Sequence, residues 1–140
     1  MNITEEHQRL PTIASDSWYG KGLNAATVAY SVRIFSRHWR SGSCLELGPA
    51  EGLATASLVN HFDDLTCVDG ADTFCRQLTE RHPGIHVTCS LLEQYEPGRT
   101  FDNIVLGHVL EHVDDPVAVL TRVKTWLHPN GRIFASVPNA

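Results

Sequence analysis

Several features are scarce in this sequence, and each scarcity removes a class of protein. No apolar run approaches the roughly 20 residues needed to cross a bilayer as a helix. The segment from Met1 to Arg9 is polar and lacks the apolar stretch of a secretory signal. Positive charge is in deficit: 11 Lys and Arg stand against 16 Asp and Glu, a formal charge of -5, so no basic surface points to nucleic acid or a membrane as partner. The four cysteines, Cys44, Cys67, Cys75 and Cys89, show neither the close pairs of a zinc site nor the framework of a small secreted domain. Cys44, Cys67 and Cys89 lie in apolar runs, and the set reads as reduced core thiols in a cytoplasmic protein. Internal repeats and low-complexity segments are missing as well.

What is present is the balance of a globular chain, with 42% hydrophobic and 19% charged residues. Its length suits one domain of roughly 100 to 200 residues. Residues 1–22 read as a mostly polar arm and 23–140 as the domain. From Leu23 to Trp39 apolar residues recur three and four apart, predicting a helix with Asn24 as its cap. Short apolar runs then alternate with helical stretches: strands at Cys44–Leu47, Leu65–Val68, Ile85–Cys89, Phe101–Leu106 and Arg132–Val137, and helices near Glu51–His61 and Ala71–Arg81. A last helix starts with Asp115 as cap and Pro116 at its first position, carries a stripe of Val117, Leu120, Val123 and Leu127, and is stopped by Pro129-Asn130-Gly131. The strands are short and uniformly apolar, which implies helices on both faces. The expectation is a doubly wound α/β fold with a mostly parallel sheet.

The run Glu46-Leu47-Gly48-Pro49-Ala50-Glu51-Gly52 carries a strand through a glycine turn into a helix, where free backbone N–H groups can meet a polar ligand. Alternatively, Gly48 only makes the turn and Gly52 only permits close helix packing. The dinucleotide fingerprint G-x-G-x-x-G is broken by Ala50 and by the offset of Gly52, which disfavours a pyrophosphate clamp. Asp69, 21 residues beyond Gly48, ends the second strand, where it either accepts hydrogen bonds from a ribose diol, caps the helix that follows, or does both. Gly70 extends that polar rim. At the end of the fourth strand, His108 and His112 flank Glu111, but H-V-L-E-H is not the H-E-x-x-H of a zinc protease, and no metal is expected. A purely structural turn is the other reading of this segment.

Taken in order, Cys44 to Gly52, Asp69-Gly70, Phe101 to Leu106 with Leu110 to Pro116, and Leu127 to Gly131 through Val137-Pro138-Asn139 resemble a class I S-adenosylmethionine-dependent methyltransferase. The resemblance covers roughly residues 40 to 140. It implies a Rossmann-like three-layer sandwich with strand order 3-2-1-4-5, lacking the family's last two strands. It also implies S-adenosylmethionine as cofactor, with Glu46 and Gly48 near its amino group and carboxylate, Ala50 and Gly52 completing the loop, and Asp69 on the ribose. The family often has glycine where this chain has Ala50. It commonly has an acid just after the third strand, where Ser90 or a backbone group would serve here and Glu93 would face solvent. His108 would face the cofactor and substrate, His112 would lie near the transferred methyl, and either would be a general base. Trp18 and Tyr19, with Asn24, would cover the cleft or pack on the first helix.

Methyl transfer from a sulfonium is downhill, so the protein must mainly align the acceptor and exclude water. A histidine base suits a hydroxyl acceptor, whereas a carbon or amine acceptor needs positioning alone. The resemblance therefore implies O- or C-methylation of a small molecule. A non-catalytic remnant of the fold and an NAD-dependent dehydrogenase are the alternatives. A sheet ending at the fifth strand would leave Ile133, Phe134 and Val137 on an exposed edge, through which the chain would self-associate.

Overall fold

The computed structural model describes residues 23–139, with side chains from Ala25 onward. The 1–22 arm, including Trp18 and Tyr19, and the side chain of Asn24 lie outside the described residues; the Asn24 backbone is within the first helix.

Five parallel strands, β1 (Cys44–Leu47), β2 (Leu65–Asp69), β3 (His86–Cys89), β4 (Phe101–Gly107) and β5 (Leu127–Ser136), form one sheet in the order β3-β2-β1-β4-β5. This is the expected doubly wound arrangement. β1 pairs with β2 on one side and β4 on the other, so it is buried on both faces, which is why its residues are apolar apart from Glu46. Alternation along the strands divides the core. Leu45, Leu47, Ile104 and Leu106 point to one layer with Tyr95, Val123 and Trp126. Cys44, Cys67 and Val105 point to the other with Leu58, Phe62, Leu78 and Phe134.

The helices are α1 (Leu23–Phe35), α2 (Leu53–Leu58), α3 (Asp72–Arg81) and α4 (Pro116–Lys124), with single 3-10 turns at Leu92–Gln94 and Leu110–His112. Asp115 caps α4 as its sequence suggests: Oδ1 accepts the Ala118 N–H at 2.9 Å. Of the expected stripe, Val123 is buried and Leu120 and Leu127 are half-buried, but Leu127 belongs to β5 and Val117 does not face the core. Val117 is 73% exposed and Val119 joins Val123 on the core side, while Arg122 stacks on Trp126 and donates to the Leu92 carbonyl at 2.7 Å.

Other expectations change as well. Pro129-Asn130-Gly131 does not stop a helix: α4 ends at Lys124, and the tripeptide is an irregularity inside β5, where the pairing jumps from Phe101↔Leu127 to Asn103↔Arg132. The first helix ends at Phe35, and Trp39 beyond it packs edge-on against Phe134 with ring centroids 4.6 Å apart. Phe134 is consequently buried; of the three apolar residues expected on an open edge, Val137 is exposed and Ile133 is half-buried. β3 is a sheet edge whose His86, Thr88 and Cys89 are exposed, so it is not covered as a buried strand would be. Cys89 is therefore no core thiol, whereas Cys75, from a polar stretch, is buried on the inner face of α3.

Candidate functional site

The strand order reverses direction between β1 and β4, so the loops leaving these two neighbours run to opposite sides and open a crevice at the carboxyl edge of the sheet. The cleft found there is lined by Glu46, Gly48, Ala50, Asp69, Gly70, Ser90, His108 and His112, eight of the residues singled out from the sequence. Gly52 does not line it. That glycine precedes α2 at φ 83°, and a Cβ would stand 2.8 Å from Leu78 Cδ2, so its function is the close packing of α2 on α3. Gly48, at φ 65°, sits at the crevice itself, and a Cβ there would stand 2.7 Å from Val109 Cγ2 at the head of the β4 loop.

The loop between β1 and α2 is held from within. Gly48 N–H donates to the Val68 carbonyl at 2.8 Å, Ala50 N–H to Asp69 Oδ2 at 3.0 Å, and Gly52 N–H to the Pro49 carbonyl at 2.9 Å. These amides are not free for a ligand, contrary to the expectation from the glycine turn. The physical reason is the neighbouring strand: β2 brings a carbonyl and a carboxylate against the loop. Ala50 adopts φ 50°, a left-handed conformation that disfavours a Cβ.

Asp69 closes β2 and is buried. Besides the Ala50 N–H, its Oδ1 accepts the Ala71 N–H at 2.8 Å. It thus braces the turn into α3, whose N-cap is Ala71, rather than capping the helix itself. Burial raises its pKa, opposed by these backbone hydrogen bonds. Each carboxylate oxygen has two lone pairs, so acceptor capacity remains toward the cleft.

Glu46 is 3% exposed, in the middle of β1. Thr55 Oγ1 donates to its Oε2 at 2.6 Å, and Cys67 Sγ lies 3.5 Å from the same oxygen. Desolvation pushes its pKa up to about 7 although both donors pull the other way. Burial, with Glu46 as a secondary cause, likewise pushes the Cys44 and Cys67 thiols up.

Two further wall residues carried no distinct signal in the sequence. Glu51, one residue past Ala50, places Oε2 where it is buried without a hydrogen-bond partner among the described residues, and its charge acts on Asp69. Ser136 arrives at the rim from β5, whose carbonyl there accepts the His108 N–H at 2.9 Å. Ser90 is anchored by its N–H to the Asp69 carbonyl and its hydroxyl to the Leu91 carbonyl, and Glu93 is exposed but stands on the rim.

At the end of β4, His108 is turned by a left-handed backbone (φ 56°), strain of the kind that accumulates where a side chain must be aimed. Glu111 Oε1 is 3.4 Å from His108 Nδ1 and 3.8 Å from His112 Nε2, within ion-pairing distance of either ring when that ring is protonated, and both rings line the cleft. Among the described residues no group of three His, Cys, Asp or Glu is arranged to hold a metal ion, and no helix is long and apolar enough to cross a membrane. The cleft wall holds Glu46, Glu51, Asp69 and Glu93 and, among the described residues, neither Lys nor Arg.

Comparison with known proteins places this geometry. Two curated relatives are ubiquinone biosynthesis O-methyltransferases. The one from Xanthomonas euvesicatoria pv. vesicatoria is 28% identical over 102 residues, covering 68% of this chain and 42% of that protein. The one from Bradyrhizobium diazoefficiens is 25% identical over 155 aligned positions, covering 96% and 61%. This chain thus spans about half the length of these relatives. Among solved structures, the N-methyltransferase NodS from Bradyrhizobium japonicum WM9 in complex with S-adenosyl-L-homocysteine superposes with a TM-score of 0.80 at 20% identity, covering 91% of this chain and 70% of NodS. The DhpI-SAM-HEP complex gives 0.77 at 21%, covering 94% and 63%. Those likenesses establish the shared fold. A family model described as a methyltransferase domain matches residues 23–140, the whole of the described sheet with both loops of the crevice, and this chain therefore belongs to the methyltransferase domain family.

Proposed function

We propose that this chain binds S-adenosylmethionine in the β1–β4 crevice and transfers its methyl group to an oxygen or carbon of a small-molecule acceptor. The observation that carries this reading is the makeup of the cleft wall: four acidic residues, of which Glu46 with its pKa of about 7 is partly protonated at neutral pH, and no Lys or Arg among the described lining residues. Such a wall favours a ligand bearing positive charge and repels a pyrophosphate, and the internally bonded amides of Gly48 and Ala50 offer no phosphate cradle. A dinucleotide is correspondingly disfavoured. The buried Oε2 of Glu51, without a hydrogen-bond partner among the described residues, is an acceptor that a ligand ammonium would match.

When bound, S-adenosylmethionine supplies an electrophilic methyl group on a sulfonium sulfur. Asp69 would accept from the ribose hydroxyls with the lone pairs that Ala50 and Ala71 leave over. Glu46 and Glu51 would face the positive charge, Gly48 and Ala50 would admit the ligand close to the loop, Gly70 would continue the rim, and Ser90 would meet the base. Val68, Phe74, Leu91 and Val109 would exclude water. His108 on the cleft wall would receive a proton from a hydroxyl acceptor, with Glu111 3.4 Å from its Nδ1 to meet the charge that results, and His112 is the second candidate base. A carbon acceptor would use both rings for positioning only.

The reading further places the chain in the cytoplasm, supported by four unpaired thiols. It assigns self-association to the outer edge of β5, which among the described residues pairs with β4 alone. Sedimentation tests that association. Calorimetry with S-adenosylmethionine, S-adenosylhomocysteine and NAD tests the ligand: binding of the first two without the third is expected, NAD binding alone overturns the reading, and no binding by any supports a remnant of the fold. Transfer of labelled methyl to a panel of phenols and carbon acids then tests the acceptor atom.

A further inference from the structure

Two thiols stand together outside the cleft. Cys75, on the buried face of α3, directs Sγ to the Asp69 carbonyl at 3.3 Å, beside the hollow that Cys89 also lines. Cys89, the last residue of β3, is the register partner of Asp69 on β2. Both line one shallow hollow with Arg76, Thr79, Glu80 and Val87, and Cys89 is exposed while Cys75 is buried behind it. The other two cysteines, Cys44 and Cys67, are fully buried beneath Glu46, out of reach of a solvent oxidant.

We propose that Cys75 and Cys89 are a site of reversible oxidative modification, closing an intramolecular disulfide between α3 and β3. The oxidant class is a peroxide. Attack by the Cys89 sulfur on one peroxide oxygen breaks the O–O bond, leaves a sulfenic acid and releases water. The Cys75 sulfur then attacks the sulfenic sulfur: the S–S bond forms as the S–O bond breaks, and the hydroxyl leaves with the Cys75 proton as a second water. Each sulfur loses one electron, and the two go to the peroxide oxygens. Exposure makes Cys89 the first residue oxidised. Burial makes Cys75 the resolving one, since it is shielded from a solvent oxidant yet lines the same hollow as Cys89. A low-molecular-weight thiol in excess reverses the bond. Closing it takes the thiol donor from the Asp69 carbonyl, leaving the Ser90 N–H at 2.9 Å on that oxygen.

The test treats the reduced full chain with hydrogen peroxide in slight excess and reads intact mass, thiol titre under denaturing conditions and a peptide map. The expected result is a loss of about 2 Da, disappearance of two of the four thiols, a peptide linking Cys75 to Cys89, and full recovery with dithiothreitol. In the exposed-site variant Cys89→Ser the remaining thiols stay reduced under the same dose. In Cys75→Ser, Cys89 accumulates as a sulfenic acid that dimedone traps. The wild-type measurement decides the matter even if Cys75→Ser does not fold. The proposal is overturned if wild-type Cys89 ends as a sulfinic acid with Cys75 still reduced, if the bridge joins two chains, or if all four thiols survive.

Discussion

From the end of β2 the Asp69 carboxylate accepts the main-chain N–H of Ala50 at 3.0 Å, so one acidic side chain both shapes the first loop and stands on the cleft wall. Its second oxygen braces Ala71 at the start of the next turn. The loop, the carboxylate and the crevice are thereby one unit.

Asp69→Ala leaves the Ala50 and Ala71 amides without their acceptor. A destabilisation of about 1–3 kcal/mol is expected, since that is what an unsatisfied buried donor typically costs. S-adenosylhomocysteine affinity should fall at least about tenfold, or about 1.4 kcal/mol. Urea unfolding and calorimetry read the two effects separately. A folded variant that binds the ligand as tightly as the parent refutes the ribose assignment.

Ala50 occupies a left-handed backbone conformation at φ 50°, where an L side chain typically costs about 1–2 kcal/mol. Ala50→Gly removes that strain but adds about 0.5–1 kcal/mol of chain entropy to the unfolded state. A net gain of up to about 1 kcal/mol is expected, visible as a raised urea midpoint at unchanged slope. A lowered midpoint would contradict it.

Glu46 titrates at about 7 in the folded chain against an ordinary 4.5. The folded state therefore holds this proton over a range in which the unfolded chain has released it, and the stability contributed by the protonated form is lost as pH rises from about 4.5 through 7. Over the whole range the change amounts to about 3 kcal/mol. Glu46→Gln removes the dependence. The variant should match the parent near pH 4 and exceed it by up to about 3 kcal/mol at pH 8, while binding S-adenosylmethionine more weakly. Equal stability differences at both pH values would show that Glu46 does not titrate in this window.

Glu51→Gln keeps the shape of the side chain and removes its charge. Binding of S-adenosylmethionine should weaken several-fold, about 1 kcal/mol, with global stability within about 0.5 kcal/mol of the parent because the residue lies outside both apolar layers. Unaltered binding at low salt would remove Glu51 from the ligand site.

Much of the architecture is written locally. Apolar runs of four or five residues between helical stretches already imply a parallel sheet, because a strand covered on both faces has no polar side to show. The Asp115-Pro116 start of α4 is equally local: cap and first turn are three residues apart. Asp69 and His108 are recognisable for a related reason, since one ends and the other follows an apolar run at the sheet edge where ligands collect, and Glu46 is the one charge inside such a run.

Other features depend on residues far apart in the chain. Phe134 is buried by Trp39, 95 positions earlier, and no window of sequence reveals that cover. The Ala50 amide is taken by a carboxylate 19 residues later, which turns an apparent ligand donor into an internal bond. The burial of Glu51 Oε2 without a partner among the described residues, and the exposure of Cys89 beside buried Cys75, are likewise set by what packs around them. Period and punctuation suffice to place strands, helices and the ligand edge, because backbone geometry and solubility act residue by residue. Which donors are spoken for and which thiols meet solvent are properties of pairs, and the pairs exist only once the sheet has brought them together.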